Sequence, residues 1–336
     1  TMTGNATTEP ELTRDEFLMI RDFIHEKCGI YFPENKMYLV TNRLCRRMAE
    51  LGIKSYRDYF YQVKYDASLV EFNQLMNLIT TNETSFFRNE PQLLSFSDEV
   101  LPLLIQQKQA EKGIKTIRIW SAGCSTGEEP YTLAVIILER LKSLVGWNVE
   151  IIANDISEQV LQKARQGEYN GITLRNLKPD LLNKYFTKHG DNYRVNNDIR
   201  ALVKFSHLNL NDPVKVTMNA NFDTVFCRNV MIYFSDEVKV ALVRNFYNAL
   251  RPGGYFYIGH SETLHGVSKA FKLVYFKNAL VYHKEAVGTA ATSATSGVMT
   301  PVRSAVSTGV TLTNAGNSTA RALDLLSKLK PVAVKK

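Results

Sequence analysis

The sequence predicts an α/β domain built on a largely parallel sheet, carrying a small antiparallel β insert and preceded by an all-α N-terminal domain. Three observations predict it. From Ile114 onward, apolar segments of strand length alternate with helical stretches, the pattern of strands joined by crossover helices. Before residue 80 the apolar positions recur at helical spacing instead. Between residues 168 and 202 turn-rich sequence interrupts the alternation.

The N-terminal helical domain spans residues 10 to 80. Phe17, Ile20, Phe23 and Ile24 mark one helical face in it, and Leu39, Leu44 and Met48 another. Residues 81 to 95 link it to the second domain, residues 96 to 285. Strands are expected near 115 to 121, 149 to 154, 203 to 207, 222 to 227 and 254 to 259, with a final pair near 271 to 277 and 279 to 284. Helices are expected near 128 to 143, 157 to 166 and 236 to 250, the last closed by Leu250-Arg251-Pro252-Gly253-Gly254, where a glycine can take positive φ. In the insert, 168 to 202, Tyr169-Asn170-Gly171 and His189-Gly190-Asp191-Asn192 are turns flanking short extended pieces. Residues 286 to 319, rich in Ala, Thr, Ser, Gly and Val, read as a linker too weakly apolar to pack a core. Residues 320 to 336 form a short basic tail in which Leu323, Leu326 and Leu329 share a helical face.

Composition narrows the class. The 336 residues, 45% hydrophobic, suffice for two buried cores. No run of eighteen apolar residues occurs, and the first residues lack the basic-then-apolar order of a signal peptide, so a cytoplasmic protein is expected. Cys28, Cys45, Cys124 and Cys227 lie far apart without metal-ligand spacing, which suggests neither a metal site nor a disulfide framework. After Glu285 there are six basic residues and one acidic one, so +5 of the net charge of +8 belongs to the tail. The remaining +3 needs no nucleic-acid partner to explain it.

Two local patterns carry chemistry. Lys36, Arg43, Arg46 and Arg47 occur with no acidic residue between Glu34 and Glu50, giving a basic stripe that is either a docking surface or a solvated helix face. The second is Ile117-Arg118-Ile119-Trp120-Ser121-Ala122-Gly123-Cys124-Ser125-Thr126-Gly127-Glu128-Glu129-Pro130, an apolar strand entering a small-residue loop that opens a helix. Gly123 and Gly127 would let backbone approach a ligand, or simply make a tight turn. The next strand ends in Asp155, where a carboxylate can accept hydrogen bonds from both ribose hydroxyls of an adenosine. Dinucleotide enzymes share this layout but carry a third glycine and keep the helix N-terminus free for pyrophosphate. Glu128 and Glu129 at that terminus would repel pyrophosphate, whereas one of them suits the cationic amino acid end of S-adenosylmethionine.

Four segments extend the reading: Thr81-Asn82-Glu83-Thr84-Ser85-Phe86-Phe87-Arg88, Ser125-Thr126-Gly127-Glu128-Glu129-Pro130-Tyr131, Cys227-Arg228-Asn229-Val230-Met231-Ile232-Tyr233-Phe234 and Gly259-His260-Ser261-Glu262. Together they resemble the CheR family of chemotaxis protein-glutamate O-methyltransferases, in that family's order, over residues 12 to 285. The resemblance implies a class I, Rossmann-like S-adenosylmethionine methyltransferase domain. It further implies cofactor contacts from Asn82, Thr84 and Arg88, with Arg88 pairing the methionine carboxylate. An acidic contact is implied at Glu128, with Glu129 as the alternative, ribose binding at Asp155, adenine-side contacts at Asn209 and Leu210, and a wall from Asn229 and Val230. Arg88 and Tyr233 are the residues expected beside methyl transfer. Bland readings stand next to these: Thr84 also suits a helix N-cap, Asn209 a turn, and Tyr233 the core. His260, Ser261 and Glu262 are expected at a strand end, where neighbours face opposite ways and cannot form a relay.

A glutamate carboxylate is ionised at neutral pH and needs no base to attack a sulfonium methyl, so catalysis is expected to be positioning. The implied substrate is a chemoreceptor's cytoplasmic coiled coil, meeting the Lys36, Arg43, Arg46 and Arg47 stripe. In some family members the insert also grips a short peptide at the receptor's C-terminus. The loop Lys188 to Arg194 is shorter than theirs, which predicts peptide-independent binding; a monomer is expected. Two rivals stay open: a methyltransferase with an RNA or protein-amine acceptor, and a non-catalytic adaptor that keeps the fold.

Overall fold

The computed structural model describes residues 10 to 286. Residues 287 to 319 of the expected C-terminal linker, the tail, and the Leu323, Leu326 and Leu329 face expected there lie outside the described residues.

The N-terminal unit is four helices: α1 (Arg14–Cys28), α2 (Met37–Leu51), α3 (Tyr56–Tyr65) and α4 (Val70–Ile79). Local chemistry sets their ends. Thr13 caps α1 by accepting from the Glu16 amide while the Glu16 carboxylate reaches back to the Thr13 amide, and Gly29 ends the helix at φ 78°. Ser55 caps α3 in the same way, through the Asp58 amide. The inner faces, with Phe17, Ile20, Ile24, Val40, Leu44, Met48, Tyr56, Phe60, Leu75 and Ile79, pack into one core. Ile156, Tyr233 and Phe234 of the following domain pack against that core, and Tyr31 N donates to Tyr233 O at 2.9 Å. The two domains therefore share a seam.

The linker between the domains ends in α5 (Glu90–Ser95), which runs through a π-turn at Phe96–Val100 into α6 (Leu101–Gln109). The α/β domain then follows with β1 (Lys115–Ala122), α7 (Glu128–Leu141), β2 (Trp147–Asp155) and α8 (Glu158–Gln166). The insert holds β3 (Glu168–Tyr169), α9 (Pro179–Tyr185), β4 (Phe186–His189), β5 (Asn192–Val195) and α10 (Asn197–Arg200). The chain closes with β6 (Val203–His207), α11 (Pro213–Thr217), β7 (Phe222–Cys227), α12 (Asp236–Ala249), β8 (Leu250–Ile258), β9 (Lys272–Tyr275) and β10 (Leu280–His283).

The main sheet has the order β6-β2-β1-β7-β8-β10-β9; the first five strands pair in parallel and the last two add antiparallel. Strand periodicity builds its two cores: Ile117 and Ile119 of β1 enter one, Trp120 and Ala122 the other. Strand order reverses between β1 and β7, which opens a crevice at the carboxyl ends of these strands. The insert is an antiparallel sheet, β3-β5-β4, whose tip is the two-residue turn Gly190-Asp191.

One terminus differs from the sequence expectation. Helix α12 is not closed by a glycine: Leu250 is already extended and begins β8. Gly253, at φ 82°, instead lies where the β7–β8 register shifts between Phe222 and Thr224. Its backbone freedom serves a bulge, a role that spacing alone does not separate from a helix cap.

Candidate cofactor site

The crevice is a cleft of about 1090 Å³, counting its part open to solvent. Its floor comes from three strand ends: Gly123, Cys124 and Ser125 after β1, Asp155 and Ile156 at β2, and Arg228, Asn229 and Val230 after β7. Leu208, Asn209 and Leu210 after β6 form one side. Cys28 and Ile30 from the end of α1, with the linker from Thr80 to Ser85 and Arg88, form the other. The helical domain is thus part of the wall.

Asp155 is buried, and each of its oxygens takes one backbone donor: Oδ2 from Ser125 N at 2.9 Å, Oδ1 from Ser157 N at 3.0 Å. Burial pushes its carboxyl above the usual carboxylate range, against the pull of those amides. Each oxygen keeps a second acceptor site.

Glu129 lines the cleft and Glu128 does not. Glu129 accepts from Ser121 Oγ at 2.7 Å and from the buried Arg228 at 3.2 Å. Glu128 is 1% exposed, accepts from Thr126 Oγ1 at 2.7 Å, and has its carboxyl pushed up by burial. Of the two glutamates expected at the site, Glu129 rather than Glu128 faces the cleft, because adjacent helical residues point about 100° apart and the sequence cannot say which one faces inward.

The glycines also act differently from expectation. A Cβ on Gly123 would lie 2.5 Å from Val230 Cγ2, and one on Gly127 2.9 Å from Ala164 Cβ and 3.0 Å from the Tyr169 hydroxyl. Both glycines admit other parts of the protein, and Gly123 also lines the cleft. Gly127, at φ 94°, lets α7 start against α8 and the insert.

The remaining predicted residues come together. Asn82, Thr84, Arg88, Asn209, Leu210, Asn229, Val230 and Tyr233 all line the cleft. Thr84 lies in the linker and caps no helix. Asn209 holds a turn, its oxygen accepting from Asn211 N, and its amide donates to Lys27 O at the end of α1. Arg88 Nη1 donates to Glu83 O at 2.7 Å within the linker, so its guanidinium is held at the cleft wall.

Three features were missed. Arg228 is buried, and each of its three nitrogens donates: Nε to Gln92, Nη1 to Glu129 and Nη2 to Arg88 O. Burial pulls its pKa down although Glu129 opposes this. Ser85 Oγ is buried in the cleft wall without a hydrogen-bond partner among the described residues. Such an atom fits a polar ligand group. Glu262 lies on a turn and not on a strand end; its carboxylate is engaged by three backbone amides.

The basic stripe does not survive intact as a free surface. Arg47 donates to both oxygens of Glu71, at 3.0 and 2.6 Å, and also reaches Glu50. Arg43 donates to Ile79 O and to Thr81 Oγ1, tying α2 to the end of α4 and the linker. Arg46 is exposed beside Glu50, and Lys36 is exposed before α2. The sequence gap in acidic residues held only along the chain; Glu71 arrives from another helix.

A doubly wound sheet, a carboxylate at the second strand end, and an acidic residue at the first helix define an adenosine-binding fold of the methyltransferase class. The chain belongs to the CheR methyltransferase family: residues 82 to 280 match its S-adenosylmethionine-binding domain and residues 15 to 80 its all-alpha domain. It is similar to chemotaxis protein methyltransferase 2 of Vibrio cholerae serotype O1, 39% identical over 274 residues, 81% of this chain and 94% of that one. Chemotaxis protein methyltransferase 1 of Pseudomonas aeruginosa is 36% identical, over 80% of this chain and 97% of its own. The chemotaxis protein methyltransferase of Escherichia coli K12 is 35% identical, over 78% and 89%. The chain is a methyltransferase that uses S-adenosylmethionine. Among the described residues no cluster of His, Cys, Asp and Glu could hold a metal, and no helix is long and apolar enough to cross a membrane.

Proposed function

We propose that this methyltransferase esterifies glutamate side chains on the cytoplasmic helices of bacterial chemoreceptors. The names of its relatives support a chemotaxis role, and one observation supports the acceptor. The acidic groups lining the cleft are Glu83, Glu129 and Asp155. Glu129 is held by Ser121 and Arg228, and Asp155 by two backbone amides. Glu83 is exposed in the linker. With the buried carboxylates committed, the arrangement suits a nucleophile that arrives already ionised, as a glutamate does at neutral pH. An amine or a nucleobase would ask the site to deal with a proton.

When bound, S-adenosylmethionine supplies an electrophilic methyl group. The chain's part is to bind, orient and exclude water. Asp155 would hold the ribose, Asn209 and Leu210 the adenine side, and Glu129 the cationic amine. Arg88 and Ser85 would take the carboxylate end, and Tyr233 and Asn229 would wall the acceptor's approach. Orientation in such a dry cleft is worth about 7 to 11 kcal/mol of barrier when the reacting atoms are aligned.

The enzyme acts in the cytoplasm as a monomer and without a receptor-tail peptide; the two-residue tip of the insert supports that last point. The receptor meets the exposed Lys36 and Arg46 rather than Arg43 and Arg47. Incubation with methyl-labelled donor and receptor-containing membranes tests the proposal. Label released as methanol by mild alkali is expected, and alkali-stable label would reassign the acceptor to an amine or RNA.

A further inference from the structure

The turn Asn229 to Tyr233 after β7 supplies three wall residues of the cleft, Asn229, Val230 and Tyr233, yet little in its own sequence would keep it rigid. Asn229 has φ 60°, a conformation that a non-glycine residue holds only when its surroundings impose it. The surroundings are one carboxylate. Glu262 Oε2 accepts from Asn229 N at 2.8 Å and from Gly259 N at 2.6 Å, and Oε1 accepts from Ile232 N at 3.1 Å. Two of these amides flank the turn, and the third anchors the carboxylate to its own loop. Gly259 is required for the approach, since a Cβ there would lie 2.5 Å from Glu262 Oε2 and 2.8 Å from Asn229 N.

We infer that Glu262 is a positioning residue for methyl transfer: its carboxylate fixes the backbone of the 229 to 232 turn and so sets Val230 and Tyr233 against the donor. Glu262 does not line the cleft and cannot act on the substrate directly. Its influence runs through Val230, whose methyl occupies the space a Cβ on Gly123 would need, so the turn and the loop after β1 are packed as one piece. Charge-assisted hydrogen bonds to backbone amides are among the stronger polar contacts, which suits a part that must not shift by even an ångström. The inference rests on reading the cleft as the donor site.

Glu262→Gln tests it, because it keeps the size of the side chain but puts an NH₂ where one oxygen faced amide donors. Calorimetry with S-adenosylhomocysteine should show affinity about tenfold weaker. KM for the donor should rise in proportion, and kcat should fall as well, because Asn229 and Tyr233 of the same turn wall the acceptor's approach. Gly259→Ala, which displaces the same carboxylate, should do the same and serves if the first variant does not fold. Phe271→Leu, a change in the neighbouring core, is the control for general loss of stability and should bind as wild type does. Unchanged affinity in both Glu262→Gln and Gly259→Ala would overturn the inference. So would equal weakening in the control, or the loss of a pH-rate limb in Glu262→Gln, which would make Glu262 a proton carrier. Failure of the wild-type protein to bind would instead overturn the reading of the cleft, and this inference with it.

Discussion

Arg47 and Glu71 are joined by two hydrogen bonds, of 3.0 and 2.6 Å, with Glu71 only 5% exposed and also holding the Tyr59 hydroxyl. The pair locks α2 to α4 inside the helical domain. Removing one partner of a largely buried pair leaves the other uncompensated, and the exposure of Arg47 moderates the cost. Arg47→Ala should destabilise the protein by about 2 kcal/mol, read as a lower midpoint in urea. Arg46→Glu should leave that midpoint unchanged and instead slow receptor methylation at low salt, a difference that closes as salt is raised.

Asp155 offers a prediction in which stability and function separate. Asp155→Asn removes a buried charge but places an amide where two oxygens accept from Ser125 and Ser157. Binding of S-adenosylhomocysteine should weaken at least about tenfold by calorimetry. Unaltered binding would remove Asp155 from the site.

Ser85 should show the same separation more sharply. Its buried hydroxyl has no partner among the described residues. Ser85→Ala should therefore raise the stability of the unliganded protein by up to about 1 kcal/mol, since an unmatched polar atom is removed. It should weaken donor binding severalfold if the hydroxyl meets the ligand, as its place in the cleft wall implies. A parallel loss of both would mean that Ser85 is merely structural.

Glu139 on α7 accepts from Lys184 and the Tyr185 hydroxyl of the insert, both at 2.5 Å. Those hydrogen bonds hold its carboxyl down to about 2. A carboxyl with a folded-state pKa below its free value adds stability above the free value and loses it as pH falls through the folded one. Glu139→Gln should therefore lower the melting temperature at pH 7, and its deficit should narrow as pH drops from 4.5 toward 2. A deficit independent of pH would show that the charge is idle.

Much of the fold was legible because short-range rules decide it. Alternation of strand-length and helix-length apolar segments located all seven strands of the main sheet. The motif residues of the linker, the β7 turn and the β2 end were recognisable as segments, and the fold brings them to one cleft.

The sequence by itself determined the class of the two domains and the succession of strands and helices along the chain, because periodicity and turn chemistry act over a few residues, while most of the polar residues that gather at the cleft followed from the resemblance of its motifs to the CheR family. Only the tertiary structure decided which of Glu128 and Glu129 faces inward, that Gly123 makes room for Val230, that Glu71 engages Arg47, and that Glu262 clasps the Asn229 turn. Each of those outcomes depends on groups brought together across the chain. Glu71 lies 24 residues from Arg47 and Glu262 33 from Asn229, separations at which no local pattern specifies contact.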